Sequence, residues 1–461
     1  MRNDAVSAIR AVQVIPWLVA FVIATLASGV AHAADASVGN CHAGAYRLAD
    51  GSVVDVGPSD GSHLRWRRDD GTTGQLTSHA DGAWTSTLGW TDKPDGIKVT
   101  FSDCAKGRID FAGRRGQRIA FDVTNTHFQG AGVMLAGRLV LPKGNGRVPI
   151  VVLVHGSEHM SALDFYSLQR MFPAAGIGVF VYDKRGTGAS GGTYTQSFLL
   201  LADDAIAAVG EAKRLAGARA GRIGYQAGSQ GGWVAPLAAK ISPVDFVIVG
   251  FGLAVSPLDE DREAIAYDMQ RQGYGPDVMA KAMQVADASA AILLSGFRSG
   301  YDKLDAVKQK YGKQPWFKHV HGDVTWALLA WSTEELKQKG PVLFAGAPLQ
   351  YDPMPVLRNL DTPQLWILGG EDADAPSAET IRRLRVLQHA GRPITLAVYP
   401  HAEHGMYEFE TRQDGTRVDT RNPEGYFRMM CDFILSGRLH DKYGNAALHA
   451  AMPGAAGSPN D

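Results

Sequence analysis

The turn Ala227-Gly228-Ser229-Gln230-Gly231-Gly232 offers one hydroxyl among residues too small to hide it. A short apolar run, 222–226, leads into it and a helix-compatible run, 233–240, leads away. Where a strand turns sharply into a helix, side chains two residues either side of a turning serine collide, so those sites must be small. Here they are Ala227 and Gly231, in a chain whose version of the pattern starts with alanine where glycine is usual. Ser229 is therefore the candidate nucleophile. The Gln230 N–H, at the start of the following helix, is a candidate donor to an oxyanion. A serine hydroxyl needs a base within hydrogen-bond reach, and the base needs a carboxylate to orient it. Two later loops supply these types. One, 368–376, carries Glu371, Asp372 and Asp374; the other, 399–406, carries His401 and His404. Asp372 is the expected acid, with Asp374 and Glu371 as competitors. His404 is the expected base, because Gly405 lets its ring approach the serine, and His401 is the competitor. A second oxyanion donor is expected from the main chain of Ser157 in His155-Gly156-Ser157-Glu158, with His155 bracing that loop.

Such loops need a rigid scaffold. The run 148–154 is continuously apolar, and 177–182, 246–251, 364–368 and 395–399 are apolar apart from the leading Gln364 and Thr395, as in strands covered on both faces of a parallel sheet. Helix-like stretches such as 203–215 lie between several of them, which implies a doubly wound α/β sheet with ligands at the strand ends. Residues 135–142 look like a last antiparallel strand before this sheet begins. The rhythm breaks between 254 and 352, where Val278, Ala282, Val285, Ser289 and Ile292 fall at helical spacing. This stretch is expected to be a helical lid over a pocket, the alternative being a subdomain packed on one face. Its acidic run, Asp259, Glu260, Asp261 and Glu263, has the ordinary meaning of a solvated helix start, and the other meaning of an anchor for a free amine.

Ahead of the sheet, residues 34–130 are punctuated by Asp50-Gly51, Asp60-Gly61, Asp70-Gly71, Asp81-Gly82 and Asp95-Gly96, with alternating runs between them. Period two bounded by Asp-Gly turns predicts a small antiparallel sandwich or barrel. Cys41 and Cys104 bracket it and are expected to pair; Cys431, at helical spacing from Phe427 and Ile434, is expected to be a buried inert thiol. At the start of the chain, Arg2 and Arg10 precede an uncharged stretch ending in Ala31-His32-Ala33. This predicts a signal peptide over 1–33, cut after Ala33, and a periplasmic or secreted protein, the alternative being an uncleaved anchor. The domain plan is thus 1–33 signal, 34–130 β-rich, 131–253 with 353–440 the core, 254–352 the lid, and 441–461 a disordered tail. With 46 basic against 47 acidic residues, a nucleic-acid partner is not expected. No stable membrane insertion of the mature chain is expected either.

The pieces 153–157, 182–190 (Tyr-Asp-Lys-Arg-Gly-Thr-Gly-Ala-Ser), 228–232, 369–376 and His404-Gly405, in this order, resemble the α/β-hydrolase superfamily. Within it the chain is similar to exported bacterial serine esterases and to the serine-aminopeptidase-like (S33-type) branch. The resemblance spans about Val133 to Gly437, apart from the lid. It implies an α/β-hydrolase sheet with a helical insertion and a triad of Ser229, His404 and Asp372. The family habit of Gly-x-x-Asp with proline four residues on, here Gly369, Asp372 and Pro376, favours Asp372. Asp183 and Arg185 are expected to brace their loop. Glu158-His159 departs from the usual Gly-Pro continuation. The implied reaction is hydrolysis of a small-molecule carboxylic ester through an acyl-enzyme, with no metal or cofactor. The alternatives are an exported peptidase acting on short peptides and a non-catalytic envelope polysaccharide-binding protein.

Overall fold

A computed structural model describes residues 41–450 of the chain, so the expected signal peptide and residues 451–461 lie outside the described part. Eight antiparallel strands, from Gly44–Leu48 to Arg114–Arg118, close into a barrel. The glycines of all five Asp-Gly pairs have φ between +61° and +92°, the region that only glycine enters without strain. Tyr46, Val54, Val56, Leu64, Trp66, Leu76, Val99 and Phe111 fill the interior, so the barrel is a packed core. Cys41 and Cys104 are paired across its mouth.

The second body is a nine-stranded sheet. In chain order its strands are β1 (Phe121–Gln129), β2 (Met134–Pro142), β3 (Val148–Val154), β4 (Gly178–Tyr182), β5 (Ala220–Gly228), β6 (Phe246–Gly250), β7 (Gln364–Gly369), β8 (Ile394–Tyr399) and β9 (Ala447–His449). Their spatial order is β9-β8-β7-β6-β5-β3-β4-β2-β1. From β4 to β8 all pairings are parallel, and β1, β2 and β9 run antiparallel at the two edges. Apart from the start of β5, the parallel strands are buried along nearly their whole length, which is why most of them read as apolar runs. Helices Phe198–Ala216 and Gly231–Ile241 cover one face; Leu168–Ala174 and Tyr426–Ser436 cover the other. Cys431 sits in the last of these, buried, and its surroundings push its thiol well up. No helix among the described residues is long and apolar enough to cross a membrane.

Two expected boundaries move. Residues 121–129 do not belong to the N-terminal domain, because β1 pairs with β2 over nine residues, from Phe121↔Pro142 to Gln129↔Met134. It is a mostly polar edge strand with only Phe128 buried, so it lacks the apolar run that marks the inner strands of the sheet. The tail is not unstructured from 441, since β9 pairs with Leu396, Ala397 and Val398 of β8. Between β6 and β7 the chain forms a run of helices, beginning with Pro257–Arg271 and Pro276–Leu294 and ending with Met354–Arg358. The longer of the first two buries Ala282, Val285, Ser289 and Ile292 of the predicted stripe and leaves Val278 half-buried.

The barrel is fastened to the sheet body by polar contacts. Arg170 grips the buried carboxylate of Asp55 through two bonds of 2.6 and 3.0 Å. A small three-stranded sheet after β8, comprising Ala402–Glu403, Tyr407–Thr411 and Arg417–Arg421, accepts the Trp90 N–H on the Asp419 carbonyl at 2.9 Å.

Candidate active site

Ser229 lies between β5 and the helix Gly231–Ile241 with φ of 51°, the left-handed conformation a tight strand-to-helix turn demands. The crowding anticipated around it is visible at Gly231, where a Cβ would lie 2.8 Å from the His155 carbonyl oxygen and 3.1 Å from Ala227 Cβ. The turn leaves the Ser229 side chain partly open to solvent while Ala227 and Gln230 are buried.

Three strand ends then converge. His404 Nε2 is 3.1 Å from Ser229 Oγ, and His404 Nδ1 is 3.0 and 3.2 Å from the two oxygens of Asp372. Asp372 is 1% exposed at its side chain and His404 22%. One Asp372 oxygen also accepts the Ala375 N–H at 2.8 Å, which fixes the carboxylate. Gly405 has φ of 75°, and a Cβ there would strike the Tyr407 ring at 2.6 Å, so the bend that delivers the imidazole requires glycine. The Phe251 ring stands edge-on to the imidazole at 5.0 Å. Phe251 (φ 42°) and Met406 (φ 61°) share the left-handed backbone of Ser229.

The competitors are elsewhere. Asp374 is exposed, and Glu371 binds His401 at 3.0 Å in a pair whose histidine side chain is 72% exposed. Glu371 also accepts from Arg417, which pairs with Glu403; this knot ties the 371–374 loop to the 401–404 loop.

Electrostatically the buried pair is set apart. Burial pulls the His404 pKa down, but the charge and hydrogen bond of Asp372, assisted by Asp374 and Asp323, outweigh it and raise it to about 9. Asp323 belongs to the helical stretch, and burial beside other carboxylates raises it to about 7. The acidic run at 259–263 is not a solvated helix start. Glu260 and Asp261 are buried; Asp261 accepts the Val324 and Thr325 N–H groups at 2.9 and 2.8 Å and the Thr325 hydroxyl at 2.7 Å. Asp261 thus caps the start of helix Thr325–Ala330. Burial, reinforced by Asp323, Asp372 and Asp374, raises Glu260 well above the carboxylate range.

The loop 155–158 lies flush with the serine: a Cβ on Gly156 would be 3.4 Å from Ser229 Cβ. Among the described residues the N–H groups of Ser157 and Gln230 bond to no other backbone carbonyl, as donors reserved for a ligand would be. His155 bonds the Tyr182 carbonyl through Nε2 and braces the loop. Asp183 accepts from Ser161, Leu163 and Ala189, and Arg185 makes two 2.7 Å bonds to Asp204, so both act as braces of their own loop. Phe251 and Asp323 were not anticipated. Phe251 stands directly after β6, where the fold puts functional loops, which is the one signal that could have found it; Asp323 has none.

Strand order, covered parallel strands and a left-handed serine between strand and helix are those of the α/β-hydrolase fold. No family model matches the chain. A protein of Aspergillus aculeatus named Thiohydrolase aneE is 26% identical over 257 residues, a match spanning 54% of this chain and 77% of that relative. Among solved structures, the chain is similar to an esterase of Pyrococcus furiosus at 17% identity and a TM-score of 0.40, covering 62% of this chain and 83% of that one. It is also similar to an acylaminoacyl peptidase of Pyrococcus horikoshii at 15% identity and a TM-score of 0.38, covering 76% of this chain and 52% of that one.

Proposed function

We propose that the protein is a serine hydrolase that cleaves carboxylic esters. The observation that carries this reading is the continuous chain Ser229 Oγ, His404 Nε2, His404 Nδ1 and Asp372, with contacts of 3.1 and 3.0 Å. In this mechanism Ser229 attacks the acyl carbonyl while His404 takes its proton. The N–H groups of Ser157 and Gln230 hold the oxyanion, and Asp372 keeps Nδ1 protonated and stabilises the imidazolium. His404 returns the proton to the departing alkoxide. Water, activated by His404 in turn, then releases the acyl group. A thioester would enter the same cycle with a thiolate as leaving group. The helical stretch 254–352 acts as the lid over this site, and the paired Cys41 and Cys104 suit an exported protein.

A second reading, hydrolysis of short peptides, is favoured by Glu260, a buried acid that feels Asp323 and Asp372 and whose proton a substrate ammonium would displace. The test is a comparison of p-nitrophenyl acyl esters with aminoacyl anilides, together with fluorophosphonate labelling. Esters should turn over faster, Ser229 should carry the label, and Ser229→Ala should lose on the order of 10⁶-fold in kcat. Faster anilide turnover would make the protein a peptidase; an unlabelled Ser229 in folded protein would leave only a binding role.

A further inference from the structure

The cycle above makes no use of a cation sealed beneath the oxyanion loop. Lys184 follows β4 and is 2% exposed. Its Nζ donates to the Gly156 carbonyl at 2.7 Å and lies 4.6 Å from the centre of the Tyr194 ring. The Tyr194 hydroxyl donates to the next carbonyl, that of Ser157, at 2.7 Å, and its ring stacks on His159 at 3.7 Å. On the other side, Glu158 accepts the Tyr166 hydroxyl and lies 3.6 Å from His155 Nδ1. Burial pulls the Lys184 pKa down to about 8, and the Glu158 carboxylate opposes that fall. Glu158 and His159, the two departures from the family's usual loop, are therefore both parts of one brace.

The Gly156 carbonyl and the Ser157 N–H belong to a single planar peptide unit and point in opposite directions. A donor clamped to the oxygen fixes where the N–H aims. A full positive charge on that oxygen also draws electron density from the nitrogen, so the N–H becomes a stronger donor. We propose that Lys184 is a positioning residue for catalysis: its ammonium, held on the Gly156 carbonyl, orients and polarises the peptide that presents the Ser157 N–H to the tetrahedral intermediate. Lys184 touches no substrate and exchanges no proton in the cycle. The inference rests on the acyl-transfer reading of Ser229.

The test compares Lys184→Met, which removes bond and charge, with Lys184→Gln, which can keep a bond but not the charge. Rates are taken per active site titrated to completion with a fluorophosphonate, so that loss of folded protein is not mistaken for loss of catalysis. Lys184→Met should lower kcat at least tenfold, a part of the roughly 10²–10³-fold lost when an oxyanion donor is deleted outright, with KM within about twofold. The Ki of a trifluoromethyl ketone, whose adduct with serine carries the oxyanion, should rise by the same factor. Lys184→Gln should fall between Lys184→Met and the natural protein, and it carries the test alone if Lys184→Met does not fold. Unchanged kcat and Ki per titrated site would overturn the proposal, as would a rise in KM with kcat intact. Ser229→Ala, measured alongside, separates the two levels: if it keeps the natural rate, the acyl-transfer reading itself has failed.

Discussion

Two histidine–carboxylate pairs occupy the same two loops, three residues apart at the histidine and one apart at the acid. His404 meets Asp372 and His401 meets Glu371, each through Nδ1 at 3.0 Å. In chemical type and distance they are nearly twins. They differ in burial, since the Asp372 side chain is 1% exposed and the His401 side chain 72%. They differ also in what the free ring nitrogen faces, because only His404 turns Nε2 to a hydroxyl. A charge pair in water is screened, whereas one under a protein roof alters a proton affinity strongly. Pairing alone does not make a base; seclusion and a nucleophile on the far side do.

The comparison can be broken by removing each member in turn. His404→Ala should cost the most, on the order of 10⁶-fold in kcat for ester hydrolysis; a drop of less than tenfold would show that another group takes the proton. Asp372→Asn should cost about 10⁴-fold and should also move the pH profile. Because Asp372 raises His404 to about 9, the ring of the natural enzyme holds a proton at lower pH and becomes a base as pH rises, so kcat/KM should climb toward pH 9. Without that charge, burial is opposed only by the weaker pull of Asp374 and Asp323, and the rising limb should shift to lower pH; an unmoved limb would mean that another group titrates. By the same linkage, the stability the pair contributes should be complete below the ordinary histidine pKa of about 6.5 and be lost as pH passes through about 9, a trend thermal melts across that range would read. Asp323→Asn should shift the limb in the same direction by less, with kcat within about tenfold, since Asp323 is the weakest of the three acids acting on the ring. His401→Ala should change the ester rate by about twofold or less, and a large loss there would dissolve the distinction between the pairs.

What could be read from the residues alone divides along physical lines. The elbow, the two loops and their order were legible because each is local: small residues flank Ser229, glycine follows His404, and an apolar strand precedes each loop. The barrel was legible through its Asp-Gly turns. The domain edge at β1 was not, because this edge strand is polar and open to water except at Phe128, and so lacks the apolar run of the inner strands. The burial of Glu260 and Asp261 was hidden for a different reason: whether a charged run is solvated depends on what packs over it, here the segment around Val324 and Thr325, more than sixty residues on. Lys184 gave no sign at all, since its partner, the Gly156 carbonyl, is backbone and exists in every sequence.

Five described residues other than glycine hold positive φ, and three of them, Ser229, Phe251 and Met406, lie at or beside the triad. Each such conformation costs of order 1 kcal/mol or more that glycine would not incur. A selection for heat resistance alone would therefore drift toward Ser229→Gly, a better-folded and inert protein. Activity and robustness pull this turn in opposite directions, and any attempt to toughen the molecule should leave these three positions alone and work on the barrel.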